Sequence, residues 1–345
     1  MEYLILLISL AGIVFGADFL VNGAVVVARR CKVSSFVIGA VIVGIGTSLP
    51  ELVVSSVGAI EGNSEVAIGN VVGSNIFNVF AILGFTALLF PVAVPKSNLK
   101  FELPYCIGVS ALLGLLVYNF FTGGTPLISR IDGAILLVLF ALFMFLSLRS
   151  GKKSAAPVVQ IDPDGVQGAE ASNGTENAGE AQAIDTTDAS EGKKDSLVKA
   201  VLSIVLGLAA LVVSSNFFVD EAVAIAKMLG VSDAFISITL LACGTSLPEL
   251  AASITAAVKK DTDMALGNII GSNIFNITAI LGVASMITPL TTGKIGPVDY
   301  SVMLASALIP LLFGLRGKIS RAGGAAMLLC YAGYAYYLVK FVMAV

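Results

Sequence analysis

The heptapeptide GTSLPEL occurs twice, at Gly46–Leu52 and at Gly244–Leu250, each time inside an otherwise apolar stretch. Each copy therefore places a glutamate, Glu51 or Glu249, where a carboxylate has no water. A second signature follows each copy at the same spacing, GNVVGSNIFN at Gly69–Asn78 and GNIIGSNIFN at Gly267–Asn276. The offset of 198 residues holds without a gap from GADFLVNGAVVVA at Gly16–Ala28, paired with SSNFFVDEAVAIA at Ser214–Ala226, to the AILG shared by Ala81–Gly84 and Ala279–Gly282. A polar motif duplicated inside apolar segments is the expected trace of a transporter built from two repeats around one shared site.

Composition agrees. The chain is 57% hydrophobic and 12% charged, with mean hydropathy +0.96, whereas a soluble domain is about 25% charged. An all-α integral membrane protein is expected. The absence of histidine removes the usual proton shuttle and metal ligand. Cys31, Cys106, Cys243 and Cys330 are scattered singly among apolar residues and read as packing residues. The N-terminal MEYLILLISLAG has no basic n-region and no clear cleavage site, so its apolar run reads as a retained span.

A span needs about 20 mostly apolar residues. Ten segments qualify, near Tyr3–Ala28, Val33–Ile60, Glu65–Phe90, Phe101–Phe120, Ile131–Leu148, Leu197–Ala226, Ala234–Val258, Met264–Pro289, Asp299–Leu315 and Ala322–Val342. The expected division is a first five-helix repeat over 1–148, a loop over 149–196 and a second five-helix repeat over 197–345. The loop is rich in Ala, Gly, Ser, Asp and Glu and has no aromatic residue from Gly151 to Asp195. It cannot bury enough apolar surface to offset its ordering entropy, so disorder is expected. Its Ile161–Gly165 stretch, IDPDG, lacks the remaining acidic ligands of a calcium loop and reads as solvated linker.

Lysine and arginine set the orientation. With the N-terminus outside, sixteen of the 20 basic residues fall in cytoplasmic segments, and only Arg130, Lys227, Lys294 and Lys340 fall outside. Both termini are thus expected outside the cell membrane and the acidic loop inside. Five spans per repeat is an odd number, so the second repeat enters from the opposite side and the two are inverted.

Read as helix, the first signature puts Thr47, Ser48 and Glu51 on one face. Pro50 removes a backbone donor, and Gly44 and Gly46 weaken the turn before it, so the carbonyl of Gly44 is expected to open. Ala242, Gly244, Thr245, Ser246, Pro248 and Glu249 repeat the arrangement. Ser74 and Asn78 are four apart, as are Ser272 and Asn276, while Gly69, Gly73, Gly267 and Gly271 allow close helix approach. An unpaired charge at mid-membrane costs at least ~2.5–3.5 kcal/mol on insertion scales, and no lysine or arginine lies near either glutamate in sequence. A bound cation would compensate. The donors are all hard oxygens: the two carboxylates, the hydroxyls, the amides of Asn78 and Asn276, and carbonyls. Calcium takes about six to eight oxygens in flexible geometry, whereas zinc and copper want nitrogen or sulfur. Two glutamates neutralise one divalent ion, or serve two or more sodium ions in overlapping positions. Mutually exclusive occupancy of that pair is a basis for exchange.

The paired blocks GTSLPEL…GNVVGSNIFN and GTSLPEL…GNIIGSNIFN resemble the two alpha-repeats of the sodium/calcium exchanger family, within the cation/calcium antiporter superfamily, in its prokaryotic form. The resemblance covers most of the chain except the central loop. It implies ten spans in an inverted five-plus-five fold and four central ion positions walled by the second, third, seventh and eighth spans. The matching ion-binding residues are Thr47, Ser48, Glu51, Ser74 and Asn78 from one repeat and Thr245, Ser246, Glu249, Ser272 and Asn276 from the other, with the carbonyls of Gly44 and Ala242. The implied activity is sodium-driven calcium antiport by alternating access, electrogenic at three sodium ions per calcium. The implied partners are calcium, sodium and the lipid bilayer, without cofactor or nucleic acid. Potassium-dependent relatives carry aspartate where Asn276 stands, so this asparagine argues against potassium use.

Alternatives are a proton- or potassium-coupled calcium antiporter, or a calcium channel or uniporter using the same oxygens. An intramembrane serine protease needs a histidine and an aspartyl type needs GxGD, and the sequence contains neither, so no enzyme is expected. Asp18 reads as a helix-packing hydrogen bond or as a group on an ion access path. Asp132 and Asp299 fall at expected helix starts, where acids suit the dipole.

Overall fold

The structure is a computed structural model that describes residues 2–118, 126–151, 197–229, 244–293 and 295–342. Most of the acidic loop, the first half of the seventh expected span and Ala242 lie outside the described residues.

Long apolar helices dominate. They are α1 (Glu2–Cys31), a bent pair α2 (Ser35–Thr47) and α3 (Leu49–Ile60), α4 (Ser64–Leu89), α5 (Lys96–Val117), α6 (Arg130–Gly151), α7 (Leu197–Met228), the shorter α8 (Leu247–Val258), α9 (Thr262–Ile287), α10 (Pro297–Gly314) and α11 (Arg321–Lys340). Among the described residues eight helices are long and apolar enough to cross a membrane, and the bent pair makes a ninth candidate. The ends carry the expected caps: the Asn63 side chain accepts from Val66 N–H and that of Asp261 from Met264 N–H, at repeat-related positions. Asp132 and Asp299 sit in first turns, as their sequence positions predicted; Asp299 accepts from the Gly296 N–H at 2.8 Å and from the Tyr334 hydroxyl at 2.8 Å. Helix α6 runs through Gly151, slightly past the expected start of the loop, with Arg149 in its last turn.

Two layers follow from where the apolar surface goes. Helix α9 is buried along 89% of its apolar stretch and α4 along 72%, against 33% for α1 and 17% for α7. Phe15 and Leu7 of α1 and Val198 of α7 stand exposed on the outside of the bundle, the surface a lipid-solvated protein presents. Helices α4 and α9 thus form the centre, and α1 and α7 pack against each other at its edge. On them Gly16 lies opposite Leu211 and Gly23 opposite Ala200, an antiparallel register.

Contacts between the halves are reciprocal. Residues Val92–Ala93 (β1) after α4 pair with Lys318–Ile319 (β4), while Leu290–Thr291 (β3) after α9 pair with Leu127–Ile128 (β2). Among the described residues these two-residue ladders are the only strands. Arg321 donates to the carbonyl of Leu89 at 3.5 Å and Arg130 to that of Ile287 at 3.3 Å. Val92 and Leu290, like Leu89 and Ile287, are related by the repeat offset, and each is held by the peripheral helices or loops of the other half.

Candidate cation-binding site

The sequence read GTSLPEL as helix throughout, but the structure breaks the helix at Ser48. Ser48 has φ −86° and ψ 10°, Ser246 has φ −92° and ψ 9°, and α2 meets α3 at 46°. Pro50 explains the difference: it occupies the first turn of α3 rather than a helix interior, where its missing N–H costs nothing. Glu51 and Glu249 therefore lie in the first turns of α3 and α8, and the N-terminal dipole favours a carboxylate there. The expected opening of the Gly44 carbonyl is not found. That oxygen accepts from the Ser48 N–H at 3.1 Å, from Thr47 Oγ1 at 3.4 Å and from Ser272 Oγ at 3.1 Å. The physical reason is register: the donor that Pro50 lacks would have reached Gly46, four residues back, not Gly44.

The two glutamates are brought together. Glu51 is fully buried and Glu249 is 1% exposed, and each lies within electrostatic reach of the other. Their hydrogen bonds cross between halves: Ser48 Oγ donates to Glu249 Oε1 at 2.7 Å and Ser246 Oγ to Glu51 Oε1 at 3.0 Å. The second oxygen of each, Glu51 Oε2 and Glu249 Oε2, is buried without a hydrogen-bond partner. Among the described residues no lysine or arginine pairs with either. A buried unpaired carboxylate is costly unless a cation or proton meets it.

The other signature residues stand on elements that pack against the two glutamate helices. Ser74, Ser272, Asn78 and Asn276 are all buried. Thr47 Oγ1 lies 3.3 Å from Asn268 Oδ1, and Thr245 sits beside Glu51 with a hydroxyl that makes no hydrogen bond of ordinary geometry. Asn78 and Asn276 each open a π-helical turn, at Asn78–Leu83 and Asn276–Ile280, a distortion frequent at functional sites. Helix α8 packs against the first of these turns and α3 against the second, so each glutamate helix faces the other half's asparagine. Close approach makes this possible: a Cβ on Gly267 or Gly271 would collide with the backbone of Phe36 or Ala40 in α2. By the repeat offset, the stretch expected opposite Gly69 and Gly73 lies outside the described residues, as does Ala242.

Sequence reasoning missed six polar residues. Asn70 donates to the Glu51 carbonyl at 3.1 Å and to Ser55 Oγ at 2.9 Å; Asn268 donates to the Glu249 carbonyl at 3.2 Å and to Ser253 Oγ at 2.8 Å. Asn75 and Asn273 face each other at the crossing of α4 and α9. Asn75 Nδ2 donates to the Asn273 carbonyl and Asn273 Nδ2 to the Asn75 carbonyl, each at 3.3 Å. The signal was present, since every one of these residues recurs at the 198-residue offset inside an apolar helix. Asp18 belongs elsewhere: it forms an ion pair with Lys259 at 2.5 Å, with Asn22 bonded to both, joining α1 to the end of α8.

Known proteins resemble this chain along most of its length. A family model described as sodium/calcium exchanger protein matches residues 1–149 and 199–340. The relative CaxA from Alkalimonas amylolytica is 40% identical over 338 residues, covering 96% of this chain and 97% of its own. The sodium/calcium exchanger MaX1 from Methanosarcina acetivorans is 33% identical over 96% of this chain and 97% of its own. A structure of the sodium-calcium exchanger NCX_Mj, soaked with 10 mM Na+ and zero Ca2+, superposes with TM-score 0.77 at 30% identity, covering 99% of this chain and 98% of that one. The chain, a multi-helix membrane protein with two buried glutamates meeting from its two halves, belongs to the sodium/calcium exchanger family.

Proposed function

We propose that the chain is a secondary antiporter that exchanges sodium for calcium by alternating access, electrogenic at three sodium ions per calcium and independent of potassium. The observation that carries this reading is the pair Glu51 and Glu249, buried, cross-bonded, and each left with one unpartnered oxygen. The proposed ligands are Thr47, Ser48, Glu51, Ser74 and Asn78 with Thr245, Ser246, Glu249, Ser272 and Asn276, and the carbonyl of Ala242; the Gly44 carbonyl, already held by three donors, is left out. These are hard oxygens suited to calcium or sodium. Two carboxylates balance one calcium, and the same two serve sodium only when calcium has left. The neutral Asn276 speaks against a potassium requirement. MaX1 and NCX_Mj, named as sodium/calcium exchangers, support the choice of ions.

The architecture proposed with it is ten spans in two inverted five-helix repeats, 1–148 and 197–345, joined by an acidic cytoplasmic segment with both termini outside. The reciprocal ladders and the antiparallel α1 and α7 support the inversion, and the distribution of lysine and arginine supports the orientation.

The test is flux. Purified protein in sodium-loaded vesicles should take up calcium on dilution into sodium-free buffer. Uptake should be faster with an inside-positive potential, because each cycle carries one net positive charge outward, and indifferent to potassium. Calcium flux that needs no sodium gradient would replace the antiporter with a channel.

A further inference from the structure

We infer that Asn75 and Asn273 are positioning residues that dictate which end of the Asn276 and Asn78 amides meets the transported ion. The inference rests on the exchanger reading above and deepens it. An asparagine side chain has an oxygen at one end and an NH2 group at the other, and only the oxygen can ligate a cation. Nothing in the amide itself selects between them.

The structure supplies that selection through a relay that starts from the backbone. The carbonyl of Asn273 can only accept, so the atom of Asn75 that contacts it at 3.3 Å has to be Nδ2. That fixes Asn75 Oδ1 on the other side, where it accepts from Asn276 Nδ2 at 3.1 Å. With its nitrogen committed, Asn276 turns Oδ1 the other way, buried and without a partner. The second relay runs in mirror: the Asn75 carbonyl orients Asn273 at 3.3 Å, Asn273 Oδ1 accepts from Asn78 Nδ2 at 3.0 Å, and Asn78 Oδ1 is left buried and unpartnered. Each relay starts and ends on the same half and passes through an asparagine of the other. Four unpartnered oxygens result, two from carboxylates and two from amides, at the ends of elements that pack together. Without the relay an amide could present its NH2 group to a cation, replacing attraction by repulsion.

The test uses aspartate, whose two oxygens make orientation irrelevant. Equilibrium calcium binding to the full-length purified protein is measured for the wild type, Asn75→Ala, Asn276→Asp and the double variant. Asn75→Ala should weaken calcium binding about tenfold, the scale of one misdirected buried polar group. In the Asn276→Asp background the same change should cost less than about twofold. Rescue should also cross between halves: Asn78→Asp should relieve Asn273→Ala and leave Asn75→Ala unrelieved. A purely structural role would cost the same in every background, and equal costs would overturn the inference, as would an Asn75→Ala variant that binds like wild type. Asn75→Ser runs the same cycle if the alanine variant does not elute as a single folded species. Absence of sodium-driven flux in the wild type would count against the antiport reading instead, since binding at equilibrium runs the cycle regardless of flux.

Discussion

The hydroxyl of Ser48 donates to Oε1 of Glu249 at 2.7 Å across a sequence separation of 201 residues. Ser246 does the same for Glu51 at 3.0 Å. Each serine fixes the rotamer of the opposite carboxylate, so neither half can build its part of the site alone. Hydrogen bonds to charged groups contribute about 1.5–3 kcal/mol. Ser48→Ala and Ser246→Ala should therefore each weaken calcium binding by about tenfold or more, measurable by titration calorimetry, with the protein still folded. An effect confined to one of the two would contradict the equivalence of the crossed bonds.

Asn276→Asp adds a third carboxylate to a site whose two signatures otherwise hold only Glu51 and Glu249. The variant should shift sodium/calcium competition and is the substitution expected to introduce sensitivity to potassium. Flux measured with sodium, potassium and calcium varied separately checks this. Identical ion dependence in variant and wild type would remove position 276 from the ligand set.

Much of the site was legible because duplication repeats its signal. Chance seldom puts Glu51 and Glu249 in identical heptapeptides inside apolar runs, and the matching Asn78 and Asn276 follow at fixed spacing. The break at Ser48 was not legible. Proline in an apolar run reads equally as a kink within a helix or as the first turn of a new one, and only the observed backbone decides. Asn75 and Asn273 were hidden differently. They stood in plain sight in GSNIFN, but what they do depends on a partner 198 residues away, and single-sequence periodicity carries no information about such pairs. The ion pair of Asp18 with Lys259 escaped for the same reason.

That ion pair has no repeat counterpart, because Glu61 stands where Lys259 would fall and Asn216 where Asp18 would. It clips the middle of α1 to the C-terminal end of α8. Its side chains are 28% and 49% exposed, so Lys259→Ala or Asp18→Ala should lower stability by about 0.5–1 kcal/mol. Thermal unfolding in detergent reads this directly. The exchange Asp18→Lys with Lys259→Asp should recover most of the loss; no recovery would mean that the pair is incidental.

Gly271 lies where α9 crosses α2, and an added side chain would collide with the main chain of Ala40. Backbone cannot swing aside as a flexible side chain would. Gly271→Ala should cost about 1–3 kcal/mol and lower the unfolding midpoint of the purified protein, while Gly62→Ala, at a turn with open space around it, serves as a comparison limited to its positive φ. Equal midpoints for wild type and Gly271→Ala would show that the helices cross less closely than described.

On the proposed reading, both halves of the chain jointly make a single site. Equilibrium calcium binding to the purified wild type, Glu51→Gln and Glu249→Gln tests it most directly. One calcium per chain, displaced by sodium in the wild type and lost in each single variant while the protein remains folded, is the predicted result. Two calcium ions per chain, or binding that survives in either variant at wild-type affinity, would mean that the glutamates serve separate sites and would contradict the account.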